Sequence, residues 1–416
     1  MIKKLLLISV LFFISCSDRA KNNPFDPTGD ININLKALAF DNRVELNWQK
    51  PAVDGYTGFN VYRKILDLDN SFQRIASELP ASQTYYQDRN LTFGHMYVYY
   101  LTITGIDVES KPSNRETIYP GPGLNWIVDR WGYQVVKTTY DLAHPIFYYN
   151  TNWPPSNLAV STDLNESLIL YLDAGRIEKI RIDGEYIQAY TDIRYPYDIA
   201  YDPHAQLFWI IDSSGALYTL DTQTDQINTV STSLAHPISI SIAPDNDLIS
   251  IADPRLRSVL QYNRNGSLVK SITKTDGKFL IRPIRYEIDE THQREWLVDS
   301  DQEIDYIYTK TLGSENFTLA DSAYAVRDLV VDPSDETCWY ISFTIGNSSA
   351  VQLSPDGTRQ SELDGFNNPL DLQINPYDGT LLVVESSNYR VLHYDHSLSL
   401  LGELNIFNFP VKVRIE

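Results

Sequence analysis

The stretch "NPLDLQINPYDGTLLVVESSNYRVLHYD", residues 368 to 395, decides the fold. After Pro369, apolar and polar residues alternate, as they do in a strand with one buried face. A turn then leads to an apolar run that ends at Glu385, and a third run begins at Arg390. The stretch therefore predicts three antiparallel strands joined by short turns.

The same pattern recurs through the C-terminal part of the chain. Its equivalent starting positions are spaced by 41 to 46 residues. They are Pro155, Pro196, Pro237, Pro283, Val326, Pro369 and Pro410. In each unit the third and fifth residues after the start are apolar, such as Ile199 and Tyr201, which places them on one strand face. Repeats of this length with several short strands predict the blades of a β-propeller.

The last unit is incomplete at the C-terminus. "FPVKVRIE", residues 409 to 416, provides a first strand alone, whereas "NWIVDRWGYQVVKTTYD", residues 125 to 141, provides a second and a third strand without a first. Pairing the two segments would close a ring and leave no sheet edge open. We therefore predict an all-β chain with a seven-bladed propeller over residues 121–416, whose closing blade is built from both ends. The alternative is six blades, with the terminal strand as a cap.

Two segments of the repeats carry a family resemblance. "YPYDIAYD", residues 195 to 202, and "LFWIIDSSGALYTLD", residues 207 to 221, resemble the NHL repeat and related propeller repeats. The resemblance implies a fold and leaves the activity open, because many unrelated activities use this scaffold.

The N-terminal sequence "MIKKLLLISVLFFISC" is typical of a secretion signal. Two lysines precede an apolar stretch that is too short to span a bilayer. Residues 13–16 resemble the lipobox of bacterial lipoproteins, with Phe13 where Leu is usual. The resemblance implies a signal peptide over 1–15, cleavage before Cys16 and acylation of Cys16, and two or more acyl chains hold a protein firmly in a membrane. The alternative is an ordinary signal peptide with an incidental cysteine.

Two further segments follow the signal. Residues 16–30, starting at the acylated Cys16, are polar and interrupted by prolines, which predicts an extended linker. Residues 31–120 alternate with period two and resemble a fibronectin type III domain, with Trp48 as its strand-B tryptophan. The spacing of Leu91, Gly94 and Tyr97 matches the tyrosine corner of that family. The resemblance implies a β-sandwich that acts as a spacer or docking module, with direct ligand recognition as the alternative.

Composition restricts the function classes. The chain has 54 Asp and Glu against 34 Lys and Arg, a net charge of −20. This charge opposes nucleic-acid binding, which depends on cations that neutralise phosphates. Cys338 lies in an apolar run and would be the only cysteine apart from Cys16, so no disulfide framework is expected. We expect a monomer that is exported and lipid-anchored in the bacterial cell envelope, at the outer membrane.

Ligand-binding candidates come from the first strand of each unit. The second and fourth residues after the start lie on the face that lines a propeller channel. The fourth positions include Glu287 and Arg414. The second positions provide the candidate ring, Asn157, Asp198, Arg285, Asp328, Asp371 and Lys412. The ring could bind a polar ligand or a calcium ion through oxygen ligands. The alternative is that its charges satisfy one another in a structural network.

A second ring of polar residues ends the second strands. Its members are Asp129, Asp173, Asp212, Asp253, Asp299, Ser342 and Glu385. Side chains at such positions accept hydrogen bonds from turn amides. Because the ring recurs in nearly every unit, we predict a structural role for it.

The leading functional hypothesis is a noncatalytic binding or scaffolding lipoprotein that recognises an envelope protein or glycan through one propeller face. Trp131 and Trp153 could provide an aromatic platform there. The alternative is a metal-dependent hydrolase or lyase similar to the gluconolactonases, which use carboxylates and an asparagine around one divalent metal. The residues that match this set are Asn157, Asp198, Asp328 and Asp371. His144 and His236 could form a metal-binding or acid–base pair, and the alternative is that both are turn or surface histidines. We assign no catalytic residue and no cofactor other than a possible calcium.

Overall fold

A computed structural model of the chain describes residues 25, 33–40, 43–52, 55–66, 68–92, 95–118, 120 and 123–416. Cys16, the predicted signal peptide and Gly94 of the predicted tyrosine corner lie outside these residues. The described chain is built of β-strands and contains no helix that is long and apolar enough to cross a bilayer. It divides into two compact units, the first formed mostly by residues up to Ile118 and the second running from Tyr119 to Glu416.

The first unit contains two antiparallel sheets. Its strands are β1 (Lys36–Phe40), β2 (Arg43–Asn47), β3 (Gly58–Ile65), β4 (Gln73–Pro80), β5 (Tyr85–Arg89), β6 (Tyr97–Gly105), β7 (Val108–Glu109) and β8 (Glu116–Ile118). One sheet has the order β1-β2-β5, and the other has the order β4-β3-β6-β7 with β8 also paired to β6. Trp48 packs edge-on against Phe59, with 5.4 Å between ring centres. Tyr97 is buried, and the Tyr99 hydroxyl donates a 2.8 Å hydrogen bond to Asp88.

The second unit consists mainly of four-stranded antiparallel sheets. Its first strands are β9 (Asn125–Asp129), β10 (Gln134–Thr138), β11 (Pro145–Asn150), β12 (Asn157–Ser161), β13 (Glu166–Tyr171), β14 (Arg176–Arg181), β15 (Tyr186–Tyr190), β16 (Pro196–Asp202), β17 (Leu207–Asp212), β18 (Ala216–Asp221) and β19 (Gln226–Ser231). They continue with β20 (Ser239–Ala243), β21 (Leu248–Asp253), β22 (Ser258–Tyr262), β23 (Leu268–Ile272), β24 (Lys274–Thr275), β25 (Lys278–Phe279), β26 (Pro283–Asp289), β27 (Arg294–Ser300), β28 (Asp305–Thr311) and β29 (Thr318–Ala323). The last are β30 (Val326–Val331), β31 (Cys338–Ser342), β32 (Ser348–Leu353), β33 (Arg359–Phe366), β34 (Pro369–Ile374), β35 (Leu381–Glu385), β36 (Arg390–Tyr394), β37 (Leu400–Leu404) and β38 (Pro410–Ile415).

In six of the seven four-stranded sheets of the second unit, neighbouring strands are consecutive in the chain. Six sheets have the orders β12-β13-β14-β15, β16-β17-β18-β19, β20-β21-β22-β23, β26-β27-β28-β29, β30-β31-β32-β33 and β34-β35-β36-β37. The seventh, the composite sheet, has the order β11-β10-β9-β38. Strands β24 and β25 form a small hairpin, and short 3-10 turns cover Leu172–Ala174 and Ser386–Asn388.

The inner strand of each sheet contacts the inner strands of its two neighbours. The succession runs β12, β16, β20, β26, β30, β34 and β38, and β38 contacts β12 again. Apolar cores fill the spaces between neighbouring sheets. The composite sheet shares one core with β34–β36, which includes Val384 and Val413, and another with β12–β14, which includes Trp126 and Leu158. The ring of sheets is therefore closed through the composite sheet.

The predicted pairing of the C-terminal strand is confirmed. Pro410 pairs with Asp129 and Ile415 pairs with Asn125, with a bulge between Pro410 and Lys412. The Glu416 carboxylate accepts a 2.8 Å hydrogen bond from the Trp126 indole and forms an ion pair with the buried Lys137. Contacts between residues almost three hundred positions apart thus hold the closing strand.

Because antiparallel strands alternate in direction, the connections of these sheets lie at two ends of the channel. We define the Trp131 face as the end with the loops from second to third strands and from one sheet to the next. The Tyr377 face is the other end, with the turns from first to second and from third to fourth strands. Residue 124 precedes β9 at the Tyr377 face, so the chain enters the unit there.

Candidate functional site

The structure brings the six candidate ring residues onto neighbouring inner strands, where they pair with one another. Asn157 donates a 2.6 Å hydrogen bond to Asp198. The Arg285 guanidinium contacts Asp328 at 2.6 Å. In the next part of the ring, Lys412 contacts Asp371 at 2.6 Å, and Arg414 reaches the same carboxylate at 3.1 Å. The predicted channel charges therefore face one another across strand boundaries.

The three ring carboxylates also bond to backbone amides of other inner strands. Asp198 accepts a hydrogen bond from the amide of Ile240 at 3.1 Å. Asp328 accepts one from Leu372 at 3.2 Å, and Asp371 accepts one from Val413 at 2.8 Å. Each donor occupies the third position of its own unit. The carboxylates therefore fasten one sheet to another, a role that the sequence pattern did not reveal.

Glu287, at the fourth position of its unit, is a further acid in the channel, and its protonation changes the net charge there. Burial raises the pKa of Glu287 to about 8, although the nearby Arg285 acts in the opposite direction. For Asp371, burial raises the pKa, but Lys412 and Arg414 outweigh burial and hold this pKa below its usual value. Glu287 is therefore largely neutral near pH 7. The carboxyl side chains of Asp198, Asp328 and Asp371 share the channel with Arg285, Lys412 and Arg414.

A polar cavity of about 240 Å³ opens at the Trp131 end of this channel. It is lined by Arg130, Ser156, Asn157, Leu172, Tyr197, Asp198, Ile238, Arg285 and Lys412. Its size suits one compact polar group. Asp328 and Asp371, the other two acids expected to bind calcium, are not among the lining residues.

The channel does not fit the calcium set expected from the sequence. Among the described residues, no three His, Cys, Asp or Glu side chains are arranged to hold a metal ion. Asp328 is paired with Arg285, and Asp371 is paired with Lys412 and Arg414. A cation would have to displace these paired positive charges before it could reach the carboxylates.

The second ring accepts turn amides at most of its positions, as predicted. Asp129 accepts bonds from the amides of Asn408 and Phe409, which precede the closing strand. Asp212, Asp253, Asp299 and Glu385 also accept bonds from the amides of loops that precede inner strands. This recurring arrangement fixes the entrance to five of the seven inner strands, β16, β20, β26, β34 and β38.

The prediction is wrong at two members of the second ring. Strand β13 ends at Tyr171, so Asp173 lies beyond the strand, where it pairs with Arg130 at 2.7 Å. Ser342 donates its hydroxyl to the carbonyl of Tyr324 instead of accepting an amide. His144 and His236 do not form a pair, because His236 lies at the Trp131 face whereas His144, between β10 and β11, lies at the Tyr377 face. Both lie in connections between strands, as the alternative predicts.

Large apolar side chains are exposed mainly on the Trp131 face. In its connections the exposed large apolar residues are Trp131, Tyr133, Trp153, Tyr195, Leu256, Phe279, Ile281, Tyr324, Ile345, Tyr389 and Ile406. In the connections of the Tyr377 face, within residues 123–416, only Tyr377 is comparably exposed. Trp131 and Trp153 are thus two of several large apolar side chains exposed on this face.

Three exposed aromatic rings on this face lie against arginines. The distances from guanidinium carbon to ring centre are 5.4 Å for Arg130 and Trp131, 4.9 Å for Arg176 and Trp153, and 5.1 Å for Arg194 and Tyr195. Such contacts hold both partners in defined positions. We call these six residues the arginine–aromatic arc.

The two faces differ in charge. In the connections of the Trp131 face, the cations are Arg130, Arg194, Arg255, Arg257, Lys274, Lys278 and Arg282, and the acids are Asp173, Asp192, Asp276, Asp301 and Glu303. At the Tyr377 face the acids are Asp141, Asp163, Asp183, Glu185, Asp225, Asp245, Asp247, Glu290, Glu315, Asp332, Asp335, Glu336, Asp356, Asp378 and Asp395. The only Lys or Arg in those turns, within residues 123–416, is Arg264. Among the residues of the connections, the acids are therefore concentrated at the Tyr377 face.

No protein-family model matches the sequence, and a sequence comparison with curated proteins finds no match. The structure is similar to several solved ones. A protein from Lactobacillus plantarum is 14% identical with a TM-score of 0.57, over 71% of this chain and 99% of that one. A protein of unknown function from Desulfotomaculum acetoxidans is 13% identical with a TM-score of 0.55, over 70% of this chain and 98% of that one.

A third similar structure is a Bacteroides fragilis protein that is provisionally described as a 6-phosphogluconolactonase. It is 12% identical with a TM-score of 0.56, over 71% of this chain and 98% of that one. At such identities the likeness concerns the fold alone. The chain is therefore an all-β protein with a β-propeller-like fold.

Proposed function

We propose that residues 121–416 form a seven-bladed propeller of the NHL-like type and that residues 31–120 form a fibronectin type III module. The closed succession of inner strands, with the composite sheet as its last member, supports seven blades over six. The first unit has two sheets, one with the order β1-β2-β5 and one in which β3 lies beside β6. This division into two sheets supports the fibronectin-like sandwich.

We propose that the protein is a noncatalytic binding lipoprotein, and that the Trp131 face of its propeller contacts a protein or glycan of the cell envelope. The observation that carries this proposal is the concentration of exposed large apolar residues in the connections of one of the two faces. Contiguous apolar surface rimmed by polar groups is characteristic of interaction sites.

The alternative, a metal-dependent hydrolase or lyase in the channel, has less support. Such an enzyme needs carboxylates that are free to bind metal or substrate. Here Asp328 and Asp371 are engaged by cations of the same ring and by backbone amides. The arrangement favours a structural role for these two acids and a binding role for the face outside the channel.

The binding face can be tested with a double substitution. We expect Trp131→Ala/Trp153→Ala to abolish retention of the envelope component that the full chain, purified in detergent, captures from envelope extract. Removing two exposed aromatic anchors takes away contact area without opening a core. The measurement is capture on immobilised protein, read by mass spectrometry for proteins and by sugar analysis for glycans.

The matched control is Tyr377→Ala, which removes an exposed aromatic ring from the opposite face. It should retain the captured component at the wild-type level, with unchanged circular dichroism for all three proteins. Equal retention by the double variant would overturn the assignment of the Trp131 face.

We also propose that acylated Cys16 anchors the protein in the envelope, at the outer membrane. The chain enters the second unit at the Tyr377 face, so its connection to the anchor leaves from the end opposite the proposed contact surface. This connectivity is compatible with a Trp131 face that is accessible to partners.

Substitution of Cys16 tests the anchor. We expect Cys16→Ser to release the protein from membranes into the soluble envelope fraction, because serine lacks the thiol that would carry the acyl anchor. Fractionation and metabolic labelling with a fatty acid are the measurements. Equal membrane association and equal labelling in both proteins would exclude the lipid anchor.

A further inference from the structure

We propose that the partner of the Trp131 face is a protein with an acidic contact surface and that the arginine–aromatic arc is the centre of its binding site. This inference rests on the proposed binding function and specifies its partner. Its basis is the position of the arc, the charge of the face and the kind of side chains exposed around it.

The arc is continuous across neighbouring sheets. Arg130 of the composite sheet forms an ion pair with Asp173, in the loop after β13. In the same loop, Gly175 lies so close to the next connection that a Cβ atom would stand 2.6 Å from the carbonyl oxygen of Arg194. The loops after β9, β13 and β15 are therefore packed together. Arg176 links Trp153, in the loop after β11, to them at 4.9 Å, so the six residues of the arc form one surface.

The arc offers positive charge that the chain only partly neutralises. Arg130 is balanced by Asp173, and Arg176 contacts Glu178 at 2.8 Å. Arg194 is exposed and stacks on Tyr195, and the described residues provide it with no ion pair. In a chain with a net charge of −20, this basic surface would be attractive to acidic groups and would align the partner with this face.

The surrounding side chains favour a protein over an anionic glycan. Leu256, Ile281 and Ile345 are exposed on the same face, and Ile345 is 92% exposed. Aliphatic side chains of this kind pack against the apolar groups of a protein, whereas sugars stack on flat aromatic rings. Trp, Tyr and Arg are also the residue types that contribute most to binding at protein interfaces.

The test uses defined polymers and the full chain. The acidic probe is a random copolymer of glutamate and tyrosine, the basic probe is a copolymer of lysine and tyrosine, and polygalacturonate represents anionic glycans. We expect the glutamate–tyrosine copolymer to bind most tightly, by tryptophan fluorescence or calorimetry. Arg194→Glu should weaken this binding about tenfold, because it reverses an exposed charge at the centre of the site.

The matched control is Arg181→Glu, which makes the same charge change at the Tyr377 face, where Arg181 is exposed and pairs with Glu185. It should bind the acidic copolymer like wild type. Raising the salt concentration from about 50 to about 300 mM should weaken wild-type binding, because the Debye length falls to a few ångströms.

Three results would overturn the inference. They are absence of binding to the acidic copolymer, equal weakening by Arg194→Glu and Arg181→Glu, and tighter binding of polygalacturonate that depends on Arg194. These failures differ from failure of the proposed function. If Trp131→Ala/Trp153→Ala still abolishes envelope capture, the Trp131 face is a binding face and only the acidic protein partner is excluded.

Discussion

A chain that ends at Phe409 is expected to lose the fold of residues 123–416 under conditions in which the full chain is folded. Removal of β38 takes the innermost strand from the composite sheet and exposes the edge of β9. Burial of a side chain such as Val413 contributes about 1.5–3 kcal/mol. Loss of Lys412 and Arg414 also leaves Asp371 as an unpaired buried charge, which costs about 3–5 kcal/mol. The sum is comparable to the whole stability of a typical domain, about 5–15 kcal/mol.

Near-UV circular dichroism and limited proteolysis would measure this loss. The first unit is expected to survive as a protease-resistant fragment, because Trp48, Phe59 and Tyr99 are packed within its own core. A control tests the mechanism: a synthetic peptide of residues 407–416, added in trans, should restore part of the tertiary signal. A truncated chain with the near-UV spectrum and melting temperature of the full chain would show that β38 does not close the ring.

The pairing of β38 with β9 could be predicted because an incomplete repeat at each end of a series leaves complementary strands. The turn-amide role of Asp129, Asp212 and Asp253 could be predicted as well, because an acid at the same place in successive units indicates a recurring local geometry. In both cases the prediction rested on a repeated pattern, which indicates backbone structure and does not identify the partner of an individual side chain.

The misplaced residues show where such patterns fail. Asp173 stands two residues beyond the strand end, and only the registration of β13 against β12 identifies Tyr171 as the equivalent position. The tetrapeptide "LAHP" occurs at 142–145 and at 234–237, but one copy follows a third strand and the other follows a fourth strand. Identical local sequence thus places His144 and His236 at opposite ends.

The pairing within the candidate ring could not be predicted for a different reason. Bulges after Pro196, Pro283, Pro369 and Pro410 shift the register at the start of inner strands. The neighbour that each carboxylate meets depends on these shifts and on how the sheets pack. The charge difference between the two faces, in contrast, was accessible from the sequence, since it requires only that each acid be assigned to its turn.

Asp371→Asn is expected to destabilise the second unit by about 3 kcal/mol, because the change leaves Lys412 and Arg414 without their counter-charge in the channel. Asparagine can still accept the amide bond from Val413, so the effect measures the ionic contacts more than the backbone contact. Denaturant unfolding followed by near-UV circular dichroism is the measurement. The cost should decrease as the pH falls from the ordinary pKa of an aspartate to the lowered pKa of Asp371, because the wild-type chain loses the stabilisation from its ionised carboxylate over this range.

The comparison variant is Asp245→Asn, which removes an exposed carboxylate that lies 3.5 Å from His204. A surface pair of this kind contributes about 0–1 kcal/mol, so this variant should unfold like wild type. The two results together distinguish a structural network from a ligand site. Residues that serve a ligand are often held at a cost in stability, so their neutralisation commonly stabilises the free protein. An Asp371→Asn chain more stable than wild type would therefore contradict the structural role of the ring and restore the channel as the candidate for ligand binding.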